Sequence, residues 1–147
     1  MQRLNNPILH AALLVVIVFL IYAHTFDAGF MFDDYAQQEM LKLISRGERE
    51  VNIFNFVTTP EEATYYTQMT AVPWWTNTSW RIRYFRPVAS FSHLFDYTFW
   101  KSNPLPYHVH NVALYALLVV LLYVLYAAFF RHALAAFCGA LIFTLEP

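Results

Sequence analysis

Residues 112–130 read VALYALLVVLLYVLYAAFF and contain no charged side chain. At 1.5 Å per residue, a helix of this length extends about 28 Å, close to the roughly 30 Å hydrocarbon core of a bilayer. The two prolines of Asn103-Pro104-Leu105-Pro106 predict a break in the chain just before this segment. The sequence therefore predicts a transmembrane helix from about residue 108 to about residue 130.

Two shorter apolar segments lie near the ends of the chain. Residues 7–23 span roughly 25 Å as a helix, and Asn6 followed by Pro7 is typical of a helix start. Residues 133–147 are expected to form a partial helix, because their apolar part is too short to span a bilayer alone. The predicted fold class is an all-α membrane protein with three transmembrane helices, the third incomplete.

A cleaved signal peptide is the alternative interpretation of residues 7–23. The apolar run is longer than a usual signal-peptide core, and no A-x-A cleavage motif follows it. Retention of the segment as a membrane helix is therefore favoured. Cleavage near Ala23 would instead leave an exterior binding domain.

Composition also places the chain in a membrane. The sequence is 59% hydrophobic, 19% aromatic and 13% charged, whereas about 25% of residues are charged in a typical soluble domain. The net charge of −1 and the lack of a basic run argue against a nucleic-acid partner. The single cysteine, Cys138, lies in an apolar segment, where it is interpreted as a small hydrophobic residue.

Positive charges beside the apolar segments predict their orientation. Arg3 precedes the first segment and Arg131 follows the second, and Lys and Arg in short flanks favour the cytoplasmic side. Residues 24–107 then form a long exterior loop. The chain is predicted to be a multi-pass integral membrane protein with a cytoplasmic N-terminus and with membrane lipids as partners.

Three helices are predicted inside this exterior loop. Asp34 and Gln37 fit a capping box, followed by an amphipathic helix over residues 35–46 on the membrane surface. The stretch Thr59-Pro60-Glu61-Glu62 is a second helix start, and that helix reaches about residue 70. A third helix begins at Arg86-Pro87 and has a strongly apolar side.

The acidic pair Asp33-Asp34 is the first candidate for chemistry. Two neighbouring carboxylates beside an apolar rim do not ionise independently, which is one route to a general base that works near neutral pH. The alternative is structural, since Asp34 at a helix N-terminus is stabilised by about 1 kcal/mol. Capping leaves Asp33 without a structural role.

A basic cluster of Arg81, Arg83 and Arg86 has aromatic residues between its members. It is either a solvated loop that touches lipid phosphates or a clamp on one anionic group, to which the guanidinium geometry is well suited. Arg86 is the most rigidly fixed of the three because Pro87 follows it.

Polar residues also stand at the start of the long apolar helix. At 100° per residue, His108, Asn111 and Tyr115 share one face, whereas His110 points almost opposite. The His-x-His pair is therefore a poor metal site, and no metal is predicted. The shared face either meets the membrane interface or borders a site.

The order of these motifs resembles a known family. FMFDD at residues 30–34, RPV at residues 86–88 and YHVHN at residues 107–111 follow one another across an exterior loop. The chain is similar to the N-terminal part of GT-C-type membrane glycosyltransferases, closest to the transmembrane and tetratricopeptide-repeat proteins and their bacterial relatives. Protein O-mannosyltransferases are more distant. The resemblance covers nearly the whole chain but a third or less of such an enzyme.

The resemblance implies a transferase that moves a sugar from a polyprenyl- or dolichyl-phosphate carrier to a protein or glycan acceptor on the exterior face. It implies the bacterial inner membrane, with the endoplasmic reticulum as the alternative, and no cofactor. The implied site residues are the catalytic Asp33 and Asp34, the phosphate-binding Arg86 and His108, and the supporting Asn111 and Arg83.

Three positions depart from the family pattern, namely Phe32 in place of Trp, Tyr115 in place of His, and Glu146 in place of His before Pro147. The fragment alone is expected to be inactive. The second interpretation is a non-catalytic membrane scaffold or assembly factor that keeps the same fold.

Overall fold

A computed structural model describes residues 6–145 of the chain. Arg3, Glu146 and Pro147, which entered the predictions above, lie outside the described residues. In chain order the elements are α1 (Pro7–Ile21), a 3₁₀ helix (Ala23–Asp27), α2 (Asp33–Ser45), β1 (Asn55–Val57), α3 (Pro60–Gln68), β2 (Ile82–Arg83), α4 (Pro87–Trp100), α5 (Pro104–Phe129) and α6 (Ala133–Leu145).

The described part of the chain is mostly helical, as predicted. The all-α expectation missed one small antiparallel sheet, in which β1 pairs with β2 around an irregularity between Asn55 and Val57. Strands of two and three residues leave no alternating pattern in a sequence, because that pattern needs four or more positions. The sheet nevertheless fixes where the chain turns before α4.

The chain divides into two compact units. Unit 1 contains the described residues 6–29 and 103–145, and unit 2 contains residues 30–102. Unit 1 is a three-helix assembly in which α5 packs against both α1 and α6. Its buried core consists of Leu14, Val18, Val112, Ala116, Val119, Tyr123, Ala136 and Ala140.

The boundaries of α1 and α5 refine the predicted ones. The Asn6 side chain accepts from the amide of Ile8 at 3.0 Å, which confirms the predicted start of α1. The predicted break before α5 is present, but it lies at residues 101–103 rather than 103–106, since Asn103 caps α5 and Pro104 opens it. Prolines are tolerated in a first helical turn because the N–H groups there have no intrahelical acceptor.

One helix among the described residues, α5, is long and apolar enough to cross a membrane. The side chains of Leu117, Leu121 and Val124 are between 54% and 58% exposed, so α5 is not a core helix sheltered by its neighbours. Such apolar exposure is compatible with a membrane protein. The helices α1 and α6 are also apolar, but they are shorter. Helix length therefore supports one of the three predicted membrane spans.

Unit 2 has its own core, built where α2 and α4 pack against the segment before β1. The buried residues are Met40, Leu41, Ile44, Ile53 and Phe54, with Phe56, Ala89, Leu94 and Tyr97 packed around them. Helix α2 thus buries its apolar side in protein. Gly47, with φ of +74°, closes the C-terminal end of α2, where a left-handed residue is usual.

Helix α3 begins with the predicted capping box. The Thr59 hydroxyl accepts from the amide of Glu62, and the Glu62 carboxylate accepts from the amide of Thr59. The same carboxylate accepts from the amide of Thr58 at 2.6 Å and from Arg49 Nη2 at 2.7 Å. Glu62 therefore ties α3 to the segment that follows α2.

Candidate functional site

The acidic pair stands at the first turn of α2. The helix begins at Asp33, two residues before the predicted start, so the expected capping box with Asp34 as cap is wrong. Asp34 lies inside the first turn, and its Oδ2 accepts from the amide of Met31 at 2.9 Å. The amide of Asp34 donates to the carbonyl of Met31 at 2.9 Å in return. Asp34 therefore closes the turn that leads into the helix.

The turn in front of the pair is strained at Phe32. This residue has φ of 40° and ψ of −105°, close to the first central position of a type II′ turn, which glycine normally occupies. A bulky residue at positive φ costs of order 1–3 kcal/mol, and such strain clusters at functional sites. The turn sets the direction in which Asp33 leaves the backbone.

Asp33 is exposed at the N-terminal end of α2. Among the residues that the structure describes, no side chain or amide forms a hydrogen bond or an ion pair with its carboxylate. The oxygens of Asp33 are thus accessible from solvent, whereas one oxygen of Asp34 is already in use. Of the two predicted catalytic carboxylates, Asp33 is the one suited to accept a proton from a substrate.

Arg86 lies in unit 2 at the N-cap position of α4. Its guanidinium carbon is 5.1 Å from the ring centroid of Phe54 and 5.2 Å from that of Tyr84. Stacking on aromatic rings orients a guanidinium and leaves its in-plane N–H groups available to an anion. Within residues 6–145, no carboxylate pairs with Arg86. This arrangement suits a phosphate group.

The other two arginines of the basic cluster bond to backbone carbonyls. Arg83 Nη2 donates to the carbonyl of Thr58 at 3.0 Å, and Arg81 Nη1 donates to the carbonyl of Trp80 at 2.8 Å. The three guanidinium groups therefore have separate local roles. Arg83 supports the small sheet, and Arg86 is the candidate for anion binding.

Unit 2 also contains a polar cavity of about 360 Å³ beside Arg83. Its lining residues are Glu48, Arg49, Glu50, Asn52, Asn55, Thr58 and Arg83. Several of these groups already bond to one another, since Asn52 Nδ2 donates to Asn55 Oδ1 at 3.1 Å and Arg49 Nη2 donates to the carbonyl of Asn55 at 3.2 Å. No motif in the sequence marks this cavity, because its lining residues are spread over residues 48–58 and 83.

His108 and Asn111 line a second cavity, of about 250 Å³, within unit 1. Tyr115 lines it as well, which confirms that these three residues share one face. The buried Nε2 atom of His108 has no hydrogen-bond partner among the described residues. Buried polar atoms are nearly always bonded, so this nitrogen is suited to a polar ligand group.

The same cavity is lined by residues that the sequence analysis did not single out. Tyr22 and Thr25 contribute from the chain just after α1, and the Tyr22 and Tyr115 rings meet edge to face at 5.3 Å. The Tyr115 hydroxyl donates to the carbonyl of Phe143 at 3.2 Å. Tyr115, which replaces the expected histidine, thus acts in helix packing.

The candidate residues fall into two sets, one in each unit. Asp33, Asp34, Arg83 and Arg86 belong to unit 2, and His108 and Asn111 belong to unit 1. Within the described ranges, no group of three or more His, Cys, Asp or Glu side chains is arranged to hold a metal ion. Each set provides polar atoms that suit a charged, oxygen-rich ligand.

No family model, curated protein or solved structure matches the chain. The likeness to GT-C-type glycosyltransferases stays an expectation drawn from the sequence motifs.

Proposed function

We propose that the chain is the N-terminal part of a GT-C-type glycosyltransferase. In this proposal the full-length protein moves a sugar from a polyprenyl- or dolichyl-phosphate carrier to a hydroxyl group of a protein or glycan. The supporting observation is that unit 2 presents two opposite charges without ionic partners among the described residues, the exposed Asp33 carboxylate and the stacked Arg86 guanidinium. A proton acceptor and a phosphate-binding cation are the two groups that such a transfer requires.

The proposal places α5 across a membrane, with α1 and α6 as further spans beside it. The apolar surface that α5 exposes supports this placement. The N-terminus is then cytoplasmic and unit 2 lies on the exterior face, which is the side where lipid-linked sugars are used. The proposed location is the bacterial inner membrane, with the endoplasmic reticulum membrane as the alternative.

The reaction assigns one step to each group. Asp33 removes the proton from the acceptor hydroxyl as its oxygen attacks the anomeric carbon of the sugar. The bond between that carbon and the carrier phosphate breaks, and the phosphate leaves with the electron pair. Arg86 stabilises its negative charge by hydrogen bonds. No cofactor takes part in these steps.

Three further residues have supporting roles in the proposal. Asn111 lines the same cavity as His108 and is proposed to orient its neighbours there. Arg83 holds the carbonyl of Thr58 and thereby keeps β2, three residues before Arg86, in place. Asp34 fixes the turn before Asp33 through its bond to Met31.

A donor comparison tests the proposed function. Membranes that contain the full-length protein are incubated with a radiolabelled sugar, supplied either on polyprenyl phosphate or as a nucleotide sugar. We expect precipitable label from the lipid-linked donor, and none from the nucleotide sugar once synthesis of the lipid-linked form is blocked. Equal transfer from the nucleotide sugar under that block would contradict the proposal, as would no transfer from a panel of lipid-linked hexoses.

A further inference from the structure

Helix α4 exposes its most apolar side. Val88 is 82% exposed, Phe91 61%, Phe95 53% and Phe99 64%. Their spacing of three, four and four residues places them on one stripe of the helix, about 80° wide at 100° per residue. These four residues are called the α4 stripe below.

The opposite side of α4 is buried although it is more polar. Ser90 is 1% exposed and Asp96 is 2% exposed, and Leu94 and Tyr97 pack on the core of unit 2. A helix on the surface of a soluble protein shows the reverse pattern, with apolar residues inside and polar residues outside. Burying one large apolar side chain is worth about 1.5–3 kcal/mol, so an unoccupied α4 stripe is costly in water.

The position of α4 in the chain indicates what covers the stripe. Lys101, Ser102 and Asn103 are the three residues that separate the end of α4 from Pro104, where α5 begins. A linker of this length reaches at most about 14 Å. If α5 crosses the membrane, as the proposed function requires, the C-terminal end of α4 lies at the depth of the lipid headgroups.

We propose that α4 lies in the interface of the lipid bilayer, with the α4 stripe at the boundary between headgroups and acyl chains. Phenylalanine side chains on one side of a helix are typical of such interfacial helices. Arg86 and Lys101 bracket the stripe with positive charge, which is attracted to anionic headgroups.

An exposed hydroxyl at the edge of the stripe is compatible with lipid contact. Thr98 falls on the same arc as Phe91, seven residues away, and its Oγ1 donates to the carbonyl of Leu94 at 2.7 Å. Its hydrogen-bonding capacity is therefore met inside the helix, and it needs no water. The carboxylate of Asp96 lies on the buried side.

Spin labels test this inference on the full-length protein. Every cysteine of the full-length protein, Cys138 among them, is replaced by alanine, and one nitroxide is attached after Phe91→Cys, Phe95→Cys, Glu61→Cys or Leu118→Cys. The protein is placed in nanodiscs of phosphatidylcholine and phosphatidylglycerol. Accessibility to oxygen, which is concentrated in lipid, is compared with accessibility to a water-soluble nickel chelate.

We expect spin labels at positions 91 and 95 to show a ratio of oxygen accessibility to nickel accessibility several-fold above the ratio at position 61. The ratio at 91 and 95 should lie below the ratio at position 118 in α5. One result would overturn the interfacial placement of α4 and leave the membrane span of α5 intact. In that result, positions 91 and 95 are as accessible to nickel as position 61, while position 118 is in lipid. Protection of 91 and 95 from both reagents would also overturn it, since protein would then cover the stripe. A water-accessible label at 118 would overturn the membrane span together with the inference that rests on it.

Discussion

Asp33→Asn in the full-length protein is expected to lower sugar transfer by about 10²–10⁴-fold, the contribution typical of a general base. The variant keeps the size of the side chain and removes the negative charge that accepts the proton. Asp33 is exposed and has no bonding partner among the described residues, so loss of a structural contact does not explain the effect. The cost to α2 is about 0.5 kcal/mol, from its interaction with the helix dipole.

Two matched variants make this result specific. In Asp34→Asn the amide oxygen still accepts from Met31, so the turn is kept and a much smaller loss is expected. Glu39→Gln removes an exposed carboxylate from the same helix and is expected to be neutral. Transfer by Asp33→Asn within twofold of the unmodified protein would favour the non-catalytic scaffold. An equal loss in Asp34→Asn would remove the distinction between the two carboxylates.

Glu62→Ala is expected to destabilise helix α3 of unit 2. The substitution removes half of the capping box of α3, the bond from Thr58 and the ion pair with Arg49. Together these contacts are worth about 2–3 kcal/mol. Hydrogen–deuterium exchange of the α3 amides measures this local stability. The exchange rates should increase about 30- to 150-fold in the variant, because each 1.36 kcal/mol of lost stability corresponds to a factor of ten in the opening equilibrium.

Glu61→Ala is the matched control for α3. Glu61 occupies the same first turn and is exposed, and its carboxyl interacts with Thr59 rather than with Thr58 or Arg49, so its removal leaves the Glu62 contacts with Thr58 and Arg49 in place. We expect its exchange rates to stay close to those of the unmodified protein. Equal acceleration in both variants would show that the charge in the first turn, rather than the Glu62 contacts, stabilises α3.

The contacts of Glu62 also predict how stability changes with pH. Burial acts to raise the pKa of the Glu62 carboxyl, but hydrogen bonds from Thr58 and the charge of Arg49 outweigh it, and the net pKa lies below its ordinary value of 4.5. A lowered pKa means that the stabilisation is present above the unfolded-state value and is lost as the pH falls through the folded-state value. Protection of the α3 amides from hydrogen exchange should therefore decrease below about pH 4.5. Glu62→Gln should reduce that dependence and leave the part due to Glu61, whose pKa is also lowered.

Local sequence signals predicted some helix starts well. Thr59 and Glu62 form a reciprocal capping box that depends on residues three positions apart, and Pro87 fixes the first turn of α4 by its own geometry. The start of α2 was missed because Phe32 takes a backbone conformation that glycine normally adopts. No sequence pattern marks a strained residue of this kind.

Features that depend on distant residues were harder to predict. The periodicity of α4 shows an apolar side, but it does not show that the core of unit 2 covers the opposite side, where Ser90 and Asp96 are buried. The face shared by His108 and Asn111 was predicted because it follows from helical geometry alone. The stacking of Arg86 on Phe54 joins residues far apart in the chain and was not predicted.

Accessibility of single cysteines in intact cells tests the placement on which the whole account depends. In a background in which every cysteine of the full-length protein is replaced by alanine, Glu39→Cys reports on α2 beside the acidic pair, and His132→Cys reports on the exposed turn between α5 and α6. A membrane-impermeant maleimide is expected to label 39 and to leave 132 unlabelled until the cells are permeabilised. If position 132 were labelled and position 39 were protected, the proposed base Asp33 would lie in the cytosol. That result would contradict transfer from a carrier on the exterior face.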